Sequence, residues 1–188
     1  MESGIHMQTL MTVIFLLFSA SELFVIIKLK KKQQKLPATA AIMSYAVFTT
    51  LLLIKWIASL DIPDYVILLS MAAVWTNSFL GYYLNYYNRS KTFDRYLHAY
   101  GSFAYALFIY RLLCNFVQSG GSRLYQSLFV FALGVTLGVF FEIFEAMNDK
   151  KKGTQMQRGL QDTNTDLAAN VIGSLLAGVF AFLIMLQA

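Results

Sequence analysis

Six long apolar runs constrain the fold of this chain more than any other feature: residues 10–27, 40–60, 65–86, 96–117, 124–147 and 167–186. An α-helix needs about 20 residues to cross the roughly 30 Å hydrocarbon core of a bilayer. Inside that core a chain must satisfy its own backbone polar groups, which a helix does within a single segment. The sequence therefore predicts an all-α fold, a polytopic membrane helical bundle of about six transmembrane helices, forming one integral membrane domain over residues 1–188. Composition agrees: 57% of residues are hydrophobic and 13% charged, against about a quarter charged in soluble domains.

The net charge of +5 is an orientation signal, not a nucleic-acid footprint, because the basic residues sit in short loops beside apolar runs. Lys28, Lys30, Lys31, Lys32 and Lys35 follow the first run, Arg89, Lys91 and Arg95 follow the third, and Lys150, Lys151, Lys152 and Arg158 follow the fifth. The opposite loops hold Arg123 with the acidic Asp61 and Asp64. The inside-positive bias places the Lys-rich loops in the cytoplasm and both termini outside. Residues 1–8 contain no Lys or Arg, so the first run lacks a signal-peptide n-region and is expected to remain as an anchor. Cys114, the single cysteine, has no second thiol for a disulfide or a metal pair.

Tyr82, Tyr83, Tyr86 and Tyr87 close the third run, where amphipathic rings favour the headgroup level. Gly134 with Gly138, and Gly173 with Ala177, have small-xxx-small spacing that lets helices approach closely. Lys55 and Arg111 are expected to snorkel to the outer surface. The first two helices carry no residue that reads as functional.

Six of the ten acidic residues gather at the cytoplasmic junctions: Asp94, Glu142, Glu145, Asp149, Asp162 and Asp166. Glu142, Glu145 and Asp149 share one face of the fifth helix by spacing, Asp162, Asp166, Asn170 and Gly173 one face of the sixth, and Asp94 lies one turn before His98. Carboxylates in a first helical turn can serve as caps, and Thr163 with Asp166 reads as a capping box. That explanation fails for Glu142 and Glu145. They stand near a helix C-terminus, where the dipole opposes anions, and Glu142 lies about 10 Å below Asp149 along the axis. Both need a partner, from Arg95, Arg158, His98 or a bound cation. His6, in the polar N-terminal tail, is expected to be incidental.

Several of these stretches together resemble the YjdF-like family of bacterial inner-membrane proteins: Phe93-Asp94-Arg95 with His98 and Gly101, Glu142-x-x-Glu145, Gly153-Thr154-Gln155, and Asp162-Thr163 with Asp166 and Gly173. Where that pattern usually has an aromatic residue, this chain has Asn164 and Thr165. The segment Asp166-x-x-x-Asn170-x-x-Gly173 is also similar to a motif of VanZ-like membrane proteins. The resemblance implies a bacterial cytoplasmic membrane location, a fold and a site, and no particular reaction.

Three functions suit the pattern. In the first, Asp94, Glu145, Asp162, Asp166 and Asn170 hold a divalent metal, Mg²⁺ or Mn²⁺ by oxygen ligation or Zn²⁺ with His98. Glu142 or His98 would then be the base, and Arg95 and Arg158 would bind a lipid or a phosphorylated small molecule at the bilayer surface. The second is a proton-coupled transporter using Glu142, Glu145 and His98. The third is a non-catalytic scaffold in which the arginines neutralise the acids. Topology is testable directly: a periplasm-active reporter should give signal when fused at Ala188 and none when fused after Lys152, and the reverse result would move the acidic cluster outside.

Overall fold

The computed structural model describes residues 2–117, 120–152 and 157–185. Gly153, Thr154 and Gln155 of the resembling motif lie outside the described residues, as do the side chains of Lys151 and Lys152. Every element is helical: α1 (Glu2–Lys31), α2 (Lys35–Ile57), α3 (Asp64–Trp75), which continues as a π-helical segment (Thr76–Tyr83), the single turn α4 (Tyr86–Arg89), α5 (Phe93–Leu113), α6 (Arg123–Lys152) and α7 (Leu160–Leu183).

Local chemistry sets the ends of these helices. Lys28, Lys30 and Lys31 occupy the last turn of α1, where cations meet the negative end of the dipole. Gln33 then turns left-handed at φ 58°, and the Gln34 N–H returns to the Leu29 carbonyl at 3.0 Å. Pro63 precedes α3, where its missing N–H costs no helical bond. The π-helical segment ends with the Leu84 N–H donating to the Phe79 carbonyl five residues back, and Asn85 at φ 62° reverses the chain.

Five helices among the described residues are long and apolar enough to cross a membrane: α1, α2, α3 with its π segment, α6 and α7. The remaining long helix, α5, has the length but carries His98, Arg111 and several tyrosines, which make it less apolar. Its neighbours compensate, since Ala104, Ala106, Leu107 and Phe108 are essentially inaccessible. A helix shielded by others need not be apolar all round. Leu16, Leu17, Val47, Phe140, Ile172 and Leu176 instead point outward, a lipid-facing surface that water would not tolerate on this scale. The chain is thus a multi-pass helical membrane bundle.

α5, α6 and α7 pack most closely. A Cβ on Gly173 would collide with the Ala99 carbonyl of α5, and one on Gly134 would meet Ser174 of α7 and Ala106 of α5. At Gly138 it would meet the Asn170 side chain. Ser127 adds a bond across the same trio, donating to the Gly178 carbonyl at 2.7 Å. At the opposite end Arg111 pairs with Asp61 at 2.7 Å instead of only snorkelling, and Asn115 Oδ1 accepts from the Asp61 N–H at 2.7 Å. Gly173→Ala should lower stability by about 3 kcal/mol, because it forces overpacking against backbone. Gly101→Ala, whose Cβ would find only the Tyr105 ring at 4.0 Å, should leave the melting temperature unchanged or slightly raised in detergent.

Candidate functional site

At the Lys-rich end of the trio, each helix turns one polar face inward. α5 contributes Asp94, His98 and Ser102, α6 contributes Glu142 and Glu145, and α7 contributes Asp166 and Asn170. His98, Ser102, Glu142, Glu145, Asp166 and Asn170 are all buried. The glycines explain how this is possible: Gly173 brings α7 against Ala99, one residue after His98, and Gly138 makes room on α6 for Asn170.

His98 stands at the centre. Its Nδ1 lies 3.3 Å from Asn170 Oδ1 and 3.7 Å from Glu142 Oε1, while Nε2 lies 3.7 Å from Asp94 Oδ1. Phe141 meets the imidazole edge-on at 5.7 Å. Asn170 Oδ1 also accepts from the Ser102 hydroxyl at 2.7 Å. An amide oxygen can only accept, so its contact with His98 requires Nδ1 to carry the hydrogen. In the neutral ring this leaves the Nε2 lone pair directed towards Asp94.

Two sets of three ligand atoms come within 4.8 Å of one another, Asp94 with His98 and Asp166, and His98 with Glu142 and Glu145. Glu142 Oε1 and Asp166 Oδ1 are buried without a hydrogen-bond partner. Glu142 Oε2 is held by the Gln157 amide at 3.1 Å, and the same NH₂ reaches the Glu142 carbonyl at 3.0 Å. Among the described residues positive charge is sparse by comparison. Arg158 reaches Asp94 only at 3.9 Å and spends its closer bond on the Tyr87 carbonyl at 2.8 Å. Arg95 donates to Thr165 at 3.1 Å and forms no ion pair among the described residues.

The remaining candidates have other duties. Asp162, in the first turn of α7, accepts from the Arg158 N–H at 3.2 Å. Asp149 accepts from the Gln157 N–H at 2.8 Å. These two carboxylates hold Gln157 and Arg158, next to the start of α7, and lie outside both three-atom sets. α7 starts at Leu160 behind Gly159, whose φ of 114° suits only glycine, so Asp166 lies well inside the helix. The capping-box reading of Thr163 and Asp166 therefore does not hold. Asp94 is not needed as a cap either, because Ser90 Oγ accepts from the Phe93 N–H at 3.2 Å.

Two of the four tyrosines expected in an interfacial belt turn inward. Tyr82 and Tyr87 pack ring against ring at 5.1 Å, and the Tyr87 hydroxyl donates to Asn77 at 2.6 Å. Burial, reinforced by Tyr82, Asp94 and Glu145 nearby, pushes the Tyr87 phenol well above its usual range. It remains a donor. Gln157 and Ser102 escaped the sequence reading because neither residue type nor spacing singles them out.

These features define a membrane protein with a carboxylate and histidine cluster buried at one end of its helices. A family model described as "Predicted membrane protein (DUF2238)" matches residues 9–187, and the chain belongs to that family. An uncharacterized protein of Thermotoga maritima is 34% identical over 114 residues, covering 60% of this chain and 59% of that protein. The chain thus spans a little over half of that relative's length. No solved structure matches.

Asn170→Ala would strip the acceptor from both Ser102 and His98. It should cost roughly 1–3 kcal/mol, read as a lower melting temperature in detergent, whereas Asn164→Ala, at an exposed position, should melt like the parent.

Proposed function

We propose that the cluster between α5, α6 and α7 binds a divalent cation at the cytoplasmic face of a bacterial inner membrane and acts there on a lipid or phosphorylated substrate. The observation that carries this reading is the pair of orphaned oxygens, Glu142 Oε1 and Asp166 Oδ1, buried in two ligand sets that share His98. Buried polar atoms are ordinarily satisfied, and surplus carboxylates in a crevice must bind protons or a cation.

The donor chemistry fits a metal. Asp94, His98 Nε2 and Asp166 would be the ligands, a mixed oxygen and nitrogen set suited to Mn²⁺ or Zn²⁺, and Mg²⁺ would rely on the carboxylates alone. Asn170 Oδ1 would then orient the ring through Nδ1–H, the usual outer-shell arrangement of a metal-bound histidine. Glu142, restrained by Gln157 on the Nδ1 side, would serve as a base, with Glu145 beside it. A bound cation would polarise a phosphoryl oxygen or activate a water. Arg158 lies within reach of Asp94 and supplies the nearest guanidinium for a phosphate. Arg95, tied to Thr165, would follow only by changing rotamer.

The resemblance to YjdF-like and VanZ-like proteins supports the site residues and supplies no reaction. A scaffold held by arginine–carboxylate pairs fits less well, because Arg95 and Arg158 direct their closest bonds to Thr165 and a backbone carbonyl. A transporter based on these same residues would need a path away from one end of the bundle.

Thermal melts of the detergent-purified protein test the reading. Metal that binds only the folded state stabilises it by about 2.7 kcal/mol at a hundredfold excess over Kd. Mg²⁺, Mn²⁺ or Zn²⁺ should raise the melting temperature and a chelator should lower it. Glu142→Gln and Asp166→Asn should shrink the shift, while Asp61→Asn at the far end should not. If no cation moves the melt and the double variant is as stable as the parent, a protonated structural cluster replaces the metal.

A further inference from the structure

The first two helices, in which the sequence showed no functional residue, contain the most completely buried acid in the described protein. Glu22 exposes none of its surface. It sits in the apolar run of α1, roughly 14 Å along the helix axis from the Lys31 end. No lysine, arginine or histidine pairs with it among the described residues.

Its hydrogen-bonding neighbour is Ser78 of the π-helical segment, 2.5 Å from Glu22 Oε1. Glu22 Oε2 is buried and has no partner. A second bond ties α1 to the last residue of α3, just before the π segment, the Trp75 indole N–H donating to Ser21 at 3.0 Å. The other titratable or charged groups around it are Lys28 on α1, Tyr45 on α2, Tyr83 on the π segment and Tyr105 on α5. Lys28 lies over the Phe24 ring, Tyr45 packs on Phe18, Tyr83 packs on Phe24, and Tyr105 is within electrostatic range. None of them hydrogen-bonds to Glu22.

Counting protons decides the state of this pair. Ser78 has one hydroxyl hydrogen and three acceptors in reach: Glu22 Oε1, the Val74 carbonyl at 3.0 Å and the Trp75 carbonyl at 3.4 Å. A serine within a helix commonly gives its hydrogen to the carbonyl four residues back, here Val74. The short contact between the carboxyl and the hydroxyl oxygen then needs a hydrogen from Glu22. A neutral acid also explains the missing cation, since an ionised carboxylate at this depth is strongly disfavoured.

We propose that Glu22 and Ser78 form a proton-binding site inside the bilayer, separate from the α5–α7 cluster, whose occupancy holds the π-helical segment against α1. With the proton bound, Glu22 O–H donates to Ser78 Oγ. On release the O–H bond breaks, the proton passes to water, and the carboxylate is left with too few donors. It must then admit water, and the contact between α1 and the π segment opens. π-Helical turns recur at functional sites, and acids within membrane helices mark proton relays in pumps and transporters.

Infrared spectroscopy of the full chain in lipid nanodiscs, combined with hydrogen exchange across residues 76–83, tests this independently of the metal reading. The parent should show the carbonyl band of a protonated carboxylic acid. Glu22→Gln should abolish that band, Ser78→Ala should shift it, and Glu142→Gln with Asp166→Asn should leave it in place. Raising the pH should remove the band and accelerate exchange over 76–83 together in the parent, with no pH-linked acceleration in Glu22→Gln. A band absent from the parent, or insensitive to both Glu22→Gln and Ser78→Ala, would overturn the proposal. So would exchange in 76–83 that follows pH identically in the parent and in Glu22→Gln.

Discussion

The contact of Gly173 with the Ala99 carbonyl sets the distance between α5 and α7, and the polar cluster exists only at that distance. Without a side chain on α7 at this point, the two backbones meet. His98 and Ser102, flanking Ala99 on α5, then reach Asn170, one turn from Gly173 on α7. Gly138 does the corresponding service on α6, where the Asn170 side chain fills the space a Cβ would take. In a bilayer no hydrophobic gain draws helices together, so association rests on close packing and on interhelical polar bonds. Here the two are one device, because the glycines that permit contact also aim the hydrogen-bonding groups at each other.

The charge balance of the cluster follows from which arms reach it. Four carboxylates, those of Asp94, Glu142, Glu145 and Asp166, converge on a single imidazole. The available guanidiniums are drawn aside by neutral partners, Arg95 by Thr165 and Arg158 by the Tyr87 carbonyl. Asp149 and Asp162 are spent on holding Gln157 and Arg158, next to the start of α7. Gln157 in turn grips both the carbonyl and the carboxylate of Glu142. Through Gln157, Asp149 therefore helps to position Glu142, a relation that helical spacing cannot display.

How much of this was legible depends on the kind of signal. Membrane class and helicity follow from run length and backbone satisfaction, and convergence of three helices at the Lys-rich end follows from the cost of turning Glu142, Glu145 and Asp166 towards lipid. The start of α7 was only partly legible: Asp162 and Asp166 read onto one helical face by spacing, but the apolar run begins at 167 and the polar residues 160–166 that extend the helix carry no apolar signal. Tyr82 and Tyr87 look like belt residues in sequence, and only the π-helical register of residues 76–83 followed by the left-handed Asn85 turns them inward. Gln157 reaches Glu142 across a loop, a relation with no periodic trace. Glu22, the lone acid of its apolar run, was missed, because one acid has no spacing to interpret and its partner lies 56 residues away in a segment of irregular helix.

The two buried acidic sites meet the same constraint in different ways. A carboxylate withdrawn from water requires a proton, a cation or several donors. Around His98 the acids are close to one another, so neutralising any one by a proton leaves the others still repelling, whereas the proposed divalent ion would relieve several pairs at once. Among the described residues Glu22 has no second acid and no converging ligand beside it, and its serine neighbour offers one oxygen and one hydrogen. A proton suffices there, and a divalent ion would find too few donors. On the readings proposed above, each geometry would favour its own counter-charge, a divalent ion among the converging carboxylates at the Lys-rich end and a proton beside Ser78 within the α1–α3 half.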